Sequence, residues 1–232
     1  MTKSEMVAFD IRRENNISYD CRIDLNELAE KYNIVIVEKT LNEKVLGACK
    51  TKGIKRIVLL NDIIDYEKRK RFTLAHEIGH LLLGHGDQYC DNKSFYTRLL
   101  EKEANEFASE LLLPSRYIKE YTRANDITCN DIVSVSGQFD ISYSVASIAF
   151  LKQLEYTTVI IYNHLTVFSI FSTNWYLKDI HPDLHMELVN IGEKRFELKN
   201  IDVWFPKCFL SQCFVDTKVL SDGNYISIIK FV

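Results

Sequence analysis

The segment Arg71-Phe72-Thr73-Leu74-Ala75-His76-Glu77-Ile78-Gly79-His80-Leu81-Leu82-Leu83-Gly84-His85 sits in a long apolar-periodic run. At 3.6 residues per turn, His76 and His80 stand one above the other on one helix face. Two imidazoles on that face can reach a single metal ion from a rigid scaffold. Glu77 is offset by one position, so its carboxylate lies beside the ion, where it can hold the water that a metal acidifies. Asn61 or Asp62 reads as the cap of this helix, which runs to about Leu83 with Gly84 and Gly86 as stop signals. His76-Glu77-x-x-His80 is the H-E-x-x-H pattern of zinc peptidases, yet the pattern alone is short enough to arise by chance. The flanking sequence has to decide.

Outward from this helix, the chain alternates short elements. Residues 5–17 read as a helix. Asp24 reads as an N-cap, with Glu27 in the capping-box position, for a helix over Leu25 to Tyr32. The β-branched run Ile34-Val35-Ile36-Val37 reads as a strand. Val45 to Thr51 and Ile54 to Leu60 read as two more, turning around Lys52-Gly53, and together they predict a small antiparallel sheet. Lys68-Arg69-Lys70-Arg71 reads as a solvated helix face. Residues 86–95 form a polar loop, followed by a second helix from about Tyr96 to Leu113, closed by Pro114, and a helix over Ser115 to Arg123. Asn130 to Gln138 and Ser142 to Leu154 resemble a helix-turn-helix around Phe139-Asp140-Ile141. From Tyr156 the texture becomes β-rich and aromatic, with strands expected at 157–162, 165–171, 213–220 and 225–231 and a tight turn at Asp222-Gly223-Asn224. The fold class expected is therefore α+β. A small N-terminal sheet packs on a zincin-like helical core with a helix-turn-helix-like extension at 130–154, and a β-rich domain follows. The boundary is placed near 155, giving domains 1–155 and 156–232.

At 232 residues, with 47% hydrophobic and 26% charged residues, the chain has an ordinary globular composition. Its net charge of −3 provides no electrostatic footprint for nucleic acid or anionic membrane. Cys21, Cys49, Cys90, Cys129, Cys208 and Cys213 are scattered with no C-x-x-C pair. No apolar run is long enough to span a membrane, and Met1-Thr2-Lys3-Ser4-Glu5 lacks a signal segment. The expectation is a cytoplasmic protein with reduced thiols and no membrane partner. A peptidase in that compartment must choose its substrate narrowly.

A catalytic zinc site takes three protein ligands and leaves one position open. The three-histidine pattern H-E-x-x-H-x-x-G-x-x-H would need glycine at 83 and histidine at 86, where this chain has Leu83 and Gly86. His85 is one residue off and reads as a cap or surface residue. The second helix offers a better candidate. Its apolar stripe is Leu100, Ala104, Phe107 and Leu111, and Glu101 and Asn105 lie on the adjacent stripe. Glu101 is placed to meet the histidine helix as third ligand. Asn105, one turn on, can hydrogen-bond a ligating imidazole on its other nitrogen. Glu103, Glu106 and Glu110 read as a solvated acidic face. A second oxyanion donor is expected among Tyr66, Tyr89 and Tyr96.

These residues carry a family resemblance. Arg71 to Leu83, followed by Glu101-x-x-Ala104-Asn105-x-Phe107-Ala108-x-x-Leu111-Leu112-x-Pro114 and preceded by Ile57-Val58-Leu59-Leu60-Asn61, resembles the ImmA/IrrE family of metallopeptidases over roughly residues 5–154. The resemblance implies Zn2+ held by His76, His80 and Glu101, with Glu77 as general base. The arrangement is similar to thermolysin-like enzymes, where an Asp stands at the position of Asn105. It further implies a protein substrate, a helix-turn-helix repressor of a mobile element, phage or stress response, whose cleavage derepresses transcription. The alternative is a non-catalytic module that sequesters a repressor or toxin partner around a structural zinc, for which Cys90 is the nearby candidate fourth ligand. Direct DNA binding is not expected, because the helix Ser142 to Lys152 has one basic residue. His164, His181 and His185 share no face or spacing and read as surface or capped histidines, and Trp175, Trp204, Phe205 and Phe209 read as core or a partner surface.

Overall fold

The Thr2 hydroxyl accepts a hydrogen bond from the backbone N–H of Glu5, and the Glu5 carboxylate accepts one from the backbone N–H of Thr2. This capping box starts α1 (Lys3–Glu14). The structure, a computed structural model, describes residues 1–86, 88–89 and 95–232. It shows an α+β chain divided into two compact units: Met1–Tyr117 with Gly137–Ser142, and Ile118–Ser136 with Tyr143–Val232. The units thus interleave in sequence between 118 and 142, whereas the change of texture at 155 marks where the second sheet begins.

In the first unit, Asp24 caps α2 (Leu25–Lys31) through the backbone of Asn26 and Glu27. The strands β1 (Ile34–Lys39), β2 (Gly47–Lys52) and β3 (Lys55–Asn61) follow. Gly53, at φ 62°, makes the β2–β3 turn. The sheet order is β1-β3-β2-β4, where β4 is Gln88–Tyr89. β2 runs antiparallel to β3, but β1 runs parallel to it, so the sheet is mixed rather than antiparallel as expected. The cause lies in residues 40–46, which carry the chain past the end of the sheet so that β3 inserts between β1 and β2. The fully buried Asn61 pins that crossing. Its Oδ1 accepts from the backbone of Leu41 at 3.1 Å, and its Nδ2 donates to the carbonyls of Asn42 and Val45 at 3.1 and 2.7 Å. Asn61 is therefore a loop clamp and does not cap the next helix.

That helix, α3 (Glu67–Leu83), starts after Tyr66, which makes no side-chain capping bond. Residues 73–81 are buried on every side, with β2 and β3 against one flank and α4 (Phe95–Leu112) against another. A mid-helix glycine normally costs about 1 kcal/mol, and Gly79 shows what offsets it. A Cβ there would stand 2.8 Å from the Phe107 ring and 3.4 Å from the Ala104 carbonyl, so only glycine lets α4 approach so closely. Leu100, Ala104, Phe107 and Leu111 are all buried as the apolar stripe predicts. α1 packs on another flank of α4, where the buried Arg12 donates to the carbonyl of Leu111 at 2.6 Å. The basic run of α3 is less solvated than expected. The Arg71 side chain is largely enclosed and donates to the carbonyl of Ile23 at 2.6 Å, and burial holds its pKa down to about 10.

α5 (Ser115–Ala124) and α6 (Cys129–Phe139) lead to Asp140, at φ 54°, and α7 (Tyr143–Leu151). The second unit holds a five-stranded antiparallel sheet in the order β6-β5-β9-β8-β7. Its strands are β5 (Thr157–Tyr162), β6 (Val167–Ser172), β7 (Arg195–Glu197), β8 (Cys213–Val219) and β9 (Tyr225–Phe231). Gly223, at φ 79°, turns β8 into β9. Four elements went unforeseen or differ: a 3₁₀ turn at Trp175–Lys178, α8 (Leu184–Ile191), α9 (Ile201–Trp204) and β7. They cover one side of the sheet through Leu177, Leu184, Leu188, Ile201 and Phe205. Phe205 is core, while Trp175 and Phe209 are 74% and 76% exposed.

Candidate metal centre

α3 presents His76, Glu77 and His80 into the interior, with Glu77 and His80 at 0% exposure. α4 brings Glu101 to the two imidazoles. The Nε2 atoms of His76 and His80 lie 3.0 Å apart, Glu101 Oε2 lies 3.2 Å from Nε2 of His76, and Oε1 lies 3.4 Å from Nε2 of His80. These three residues are the group of potential ligands found among the described residues. Zinc–nitrogen distances of about 2.0–2.1 Å at tetrahedral angles separate ligand atoms by about 3.3 Å. The observed triangle has that size, and its donors are two imidazole nitrogens and a carboxylate, so the residues present fit a zinc ion. Burial works against the charge on Glu101, but the two imidazoles outweigh it and hold its carboxyl well below the usual range. Burial likewise pushes His76 down, while the bond to Glu101 and the charges of Glu77 and Glu101 outweigh it and raise its pKa.

The nitrogens facing away from this triangle are also engaged. Nδ1 of His76 lies 3.0 Å from Oδ1 of Asn105, and Nδ1 of His80 lies 2.9 Å from Nδ1 of His85. His85 in turn places Nε2 2.9 Å from Glu103 Oε2. On the sheet side, β2 passes so close to Glu77 that a Cβ on Gly47 would stand 2.7 Å from Glu77 Oε1 and 2.8 Å from Thr73 Cγ2. The group opens onto a cleft of about 240 Å³, which Lys44, Leu46, Phe72 and Thr73 help to line.

The structure thus brings together all five residues singled out in the sequence, His76, Glu77, His80, Glu101 and Asn105. Two sequence readings change. The acidic face of α4 is not simply solvated: Glu103 meets His85, Glu106 accepts from Ser4 at 3.3 Å, and the buried Glu110 accepts from the backbone of Ser115 at 3.0 Å. His85 has a side chain only 5% exposed and so is not a surface residue, while its backbone N–H caps α3 by donating to the carbonyl of His80 at 3.0 Å. Tyr66 stands ten residues before His76 at the far end of α3, about 15 Å along the axis, too far to assist at the metal group. The side chains of Tyr89 and Tyr96, and Cys90 altogether, lie outside the described residues. His185 is capped, with Nδ1 2.7 Å from the carbonyl of Pro182. No helix among the described residues is long and apolar enough to cross a membrane.

Two histidines one turn apart, a carboxylate from a second helix and a further carboxylate alongside make a layout suited to metal-dependent hydrolysis. The family model for the IrrE N-terminal-like domain, peptidase family M78, matches residues 29–150. The chain belongs to this family of metallopeptidases. It is 29% identical over 132 residues to "Uncharacterized immunity region protein 2" of Bacillus phage phi105, an alignment covering 56% of this chain and 78% of that protein. A Mycobacterium tuberculosis transcriptional regulator shares the fold at a TM-score of 0.55 and 14% identity, covering 99% of this chain and 75% of the other.

Proposed function

We propose that the protein is an intracellular zinc-dependent endopeptidase that cleaves a helix-turn-helix transcriptional repressor and so derepresses the genes of a mobile element, phage or stress response. The observation that carries the reading is the meeting of His76, His80 and Glu101 with Glu77 on the adjacent helix position. Family membership supports the peptidase activity, and the immunity-region relative supports a repressor-related substrate. In this reading residues 1–155 carry the peptidase, followed by a β-rich domain at 156–232.

His76, His80 and Glu101 would hold the zinc, which supplies a water acidified toward a pKa of about 7 and an electrophile for the scissile carbonyl. Glu77 acts at its carboxylate. It takes the proton of the attacking water and delivers it to the leaving amine nitrogen, the division of labour of general acid–base catalysis. Asn105 holds the His76 ring in place.

The test is to incubate a repressor-like helix-turn-helix protein encoded next to this chain's gene with wild-type and Glu77→Gln protein and to read products by mass spectrometry. Cleavage by the wild type alone supports the reading. Equal cleavage by both proteins, or by neither, overturns it.

A further inference from the structure

His85 and Glu103 have no part in the function proposed above, yet they are built into the same group of side chains. The end of α3 dictates this. Gly84 turns left-handed at φ 77°, and the backbone N–H of His85 then closes a hydrogen bond of 3.0 Å to the carbonyl of His80, five residues back. This is the six-to-one bond of a glycine-ended helix, and it stacks the residue after the glycine over the one that accepts the bond. In most helices that contact is apolar. Here both partners are imidazoles, with ring centroids 5.0 Å apart and edge-on at 71°.

With both imidazoles neutral, donors and acceptors along this line can be matched in one way. An ionised carboxylate only accepts, so Glu103, at 2.9 Å, accepts a hydrogen bond from Nε2–H of His85. A neutral His85 protonated at Nε2 bears a lone pair at Nδ1. The ring of His80, 2.9 Å from that lone pair, must then donate from its own Nδ1. His80 is left with a lone pair on Nε2, the nitrogen that faces His76 and Glu101. The opposite assignment would set an imidazole lone pair against the carboxylate and a hydrogen on the nitrogen that faces the metal group. Asn105 can do the same for His76 by accepting from its Nδ1 at 3.0 Å.

We propose that Glu103 and His85 form a hydrogen-bond relay that fixes the tautomer and orientation of His80, so that Nε2 of that ring is presented to the metal. His85 and Glu103 are positioning residues and touch neither metal nor substrate. The inference rests on the metallopeptidase reading. It adds that the second histidine ligand is held from the loop after α3, and that α4 contributes to both ends of the device, as ligand through Glu101 and as relay terminus through Glu103.

The test uses the full chain loaded with zinc, with chelator competition for metal affinity and long-range ¹H–¹⁵N spectra for imidazole tautomers. His85→Leu should weaken zinc binding about 10- to 100-fold. His85→Asn, which restores an acceptor near the place of Nδ1, should recover most of that loss. Glu103→Leu, at a side chain 47% exposed and so removable without unfolding, should weaken binding in the same direction. In the wild type, His85 should carry its proton on Nε2 and His80 on Nδ1. Wild-type affinity in both leucine variants, or a His85 protonated on Nδ1, overturns the relay while leaving the metal site standing. A wild-type protein that binds no zinc overturns the metallopeptidase reading and the relay with it.

Discussion

The side-chain oxygen of Asn105 lies 3.0 Å from Nδ1 of His76, on the side of the ring opposite Glu101. An amide oxygen in that place accepts from Nδ1–H and leaves Nε2 free to ligate. Asn105→Leu should weaken zinc binding about tenfold or more, whereas Asn105→Asp, which keeps an acceptor, should stay close to wild type. Chelator competition on the two variants reads the difference. Equal losses in both would contradict an acceptor role.

A substitution at Gly47 can separate the proposed metal binding from the proposed catalysis. A methyl group there would meet Glu77 Oε1 at 2.7 Å and Thr73 Cγ2 at 2.8 Å, so Gly47→Ala must push the carboxylate or the strand aside. Displacing a reacting group by about 1 Å costs on the order of 100-fold in rate. The expected outcome is peptidase activity down by about that factor with zinc stoichiometry unchanged, measured by turnover of a cleavable peptide and metal analysis. Loss of zinc in this variant would show that the strand supports the ligands rather than Glu77.

How far the site could be read from sequence depends on how local its geometry is. His76, Glu77 and His80 were legible because a helix sets their relation over four residues, and Glu101 because the apolar stripe of α4 sets its facing. His85 and Glu103 were not legible, since their pairing depends on the left-handed turn at Gly84 and on where the close approach at Gly79 seats α4. In the fold, the strands of the first sheet were recognisable from β-branched runs. The parallel pairing of β1 with β3 was hidden in the contacts of Asn61 with residues 41–45. The short α8 and α9 lack the length that makes a periodicity visible.

Asp131 predicts an acid limb for the second unit. Burial works against its charge, but the hydroxyls of Thr128 and Tyr121 and the backbone N–H of Thr128 outweigh it, leaving its pKa below the ordinary value. A depressed carboxylate stabilises the fold above its unfolded pKa of about 3.9, and that contribution disappears as pH falls through the folded value. Asp131→Asn should therefore lose about 1 kcal/mol near neutrality and show a flatter decline on acidification. Urea unfolding of both proteins across pH 2–7 measures it. Parallel curves would contradict the assignment.

Thiol reactivity should divide by burial. Burial raises the Cys129 thiol well above its ordinary value and pushes Cys213 up to about 12, whereas Cys21 is exposed. The thiolate is the reacting form, so iodoacetamide at neutral pH should modify Cys21 in the folded protein and reach Cys129 and Cys213 only in denaturant. Peptide mapping reads each site, and prompt labelling of Cys129 in the folded protein would contradict this packing.

The proposed division of labour falls within five residues: His76 and His80 would bind the metal, and Glu77 between them would react. Metal stoichiometry after stripping and reloading with zinc tests this most directly, in wild-type, His80→Ala and Glu77→Gln proteins side by side. The expected result is one equivalent in the wild type and in Glu77→Gln, and none retained by His80→Ala at chelator levels the wild type withstands. A His80→Ala protein that keeps its zinc, or a Glu77→Gln protein that loses it, would contradict the assignment of ligands and base.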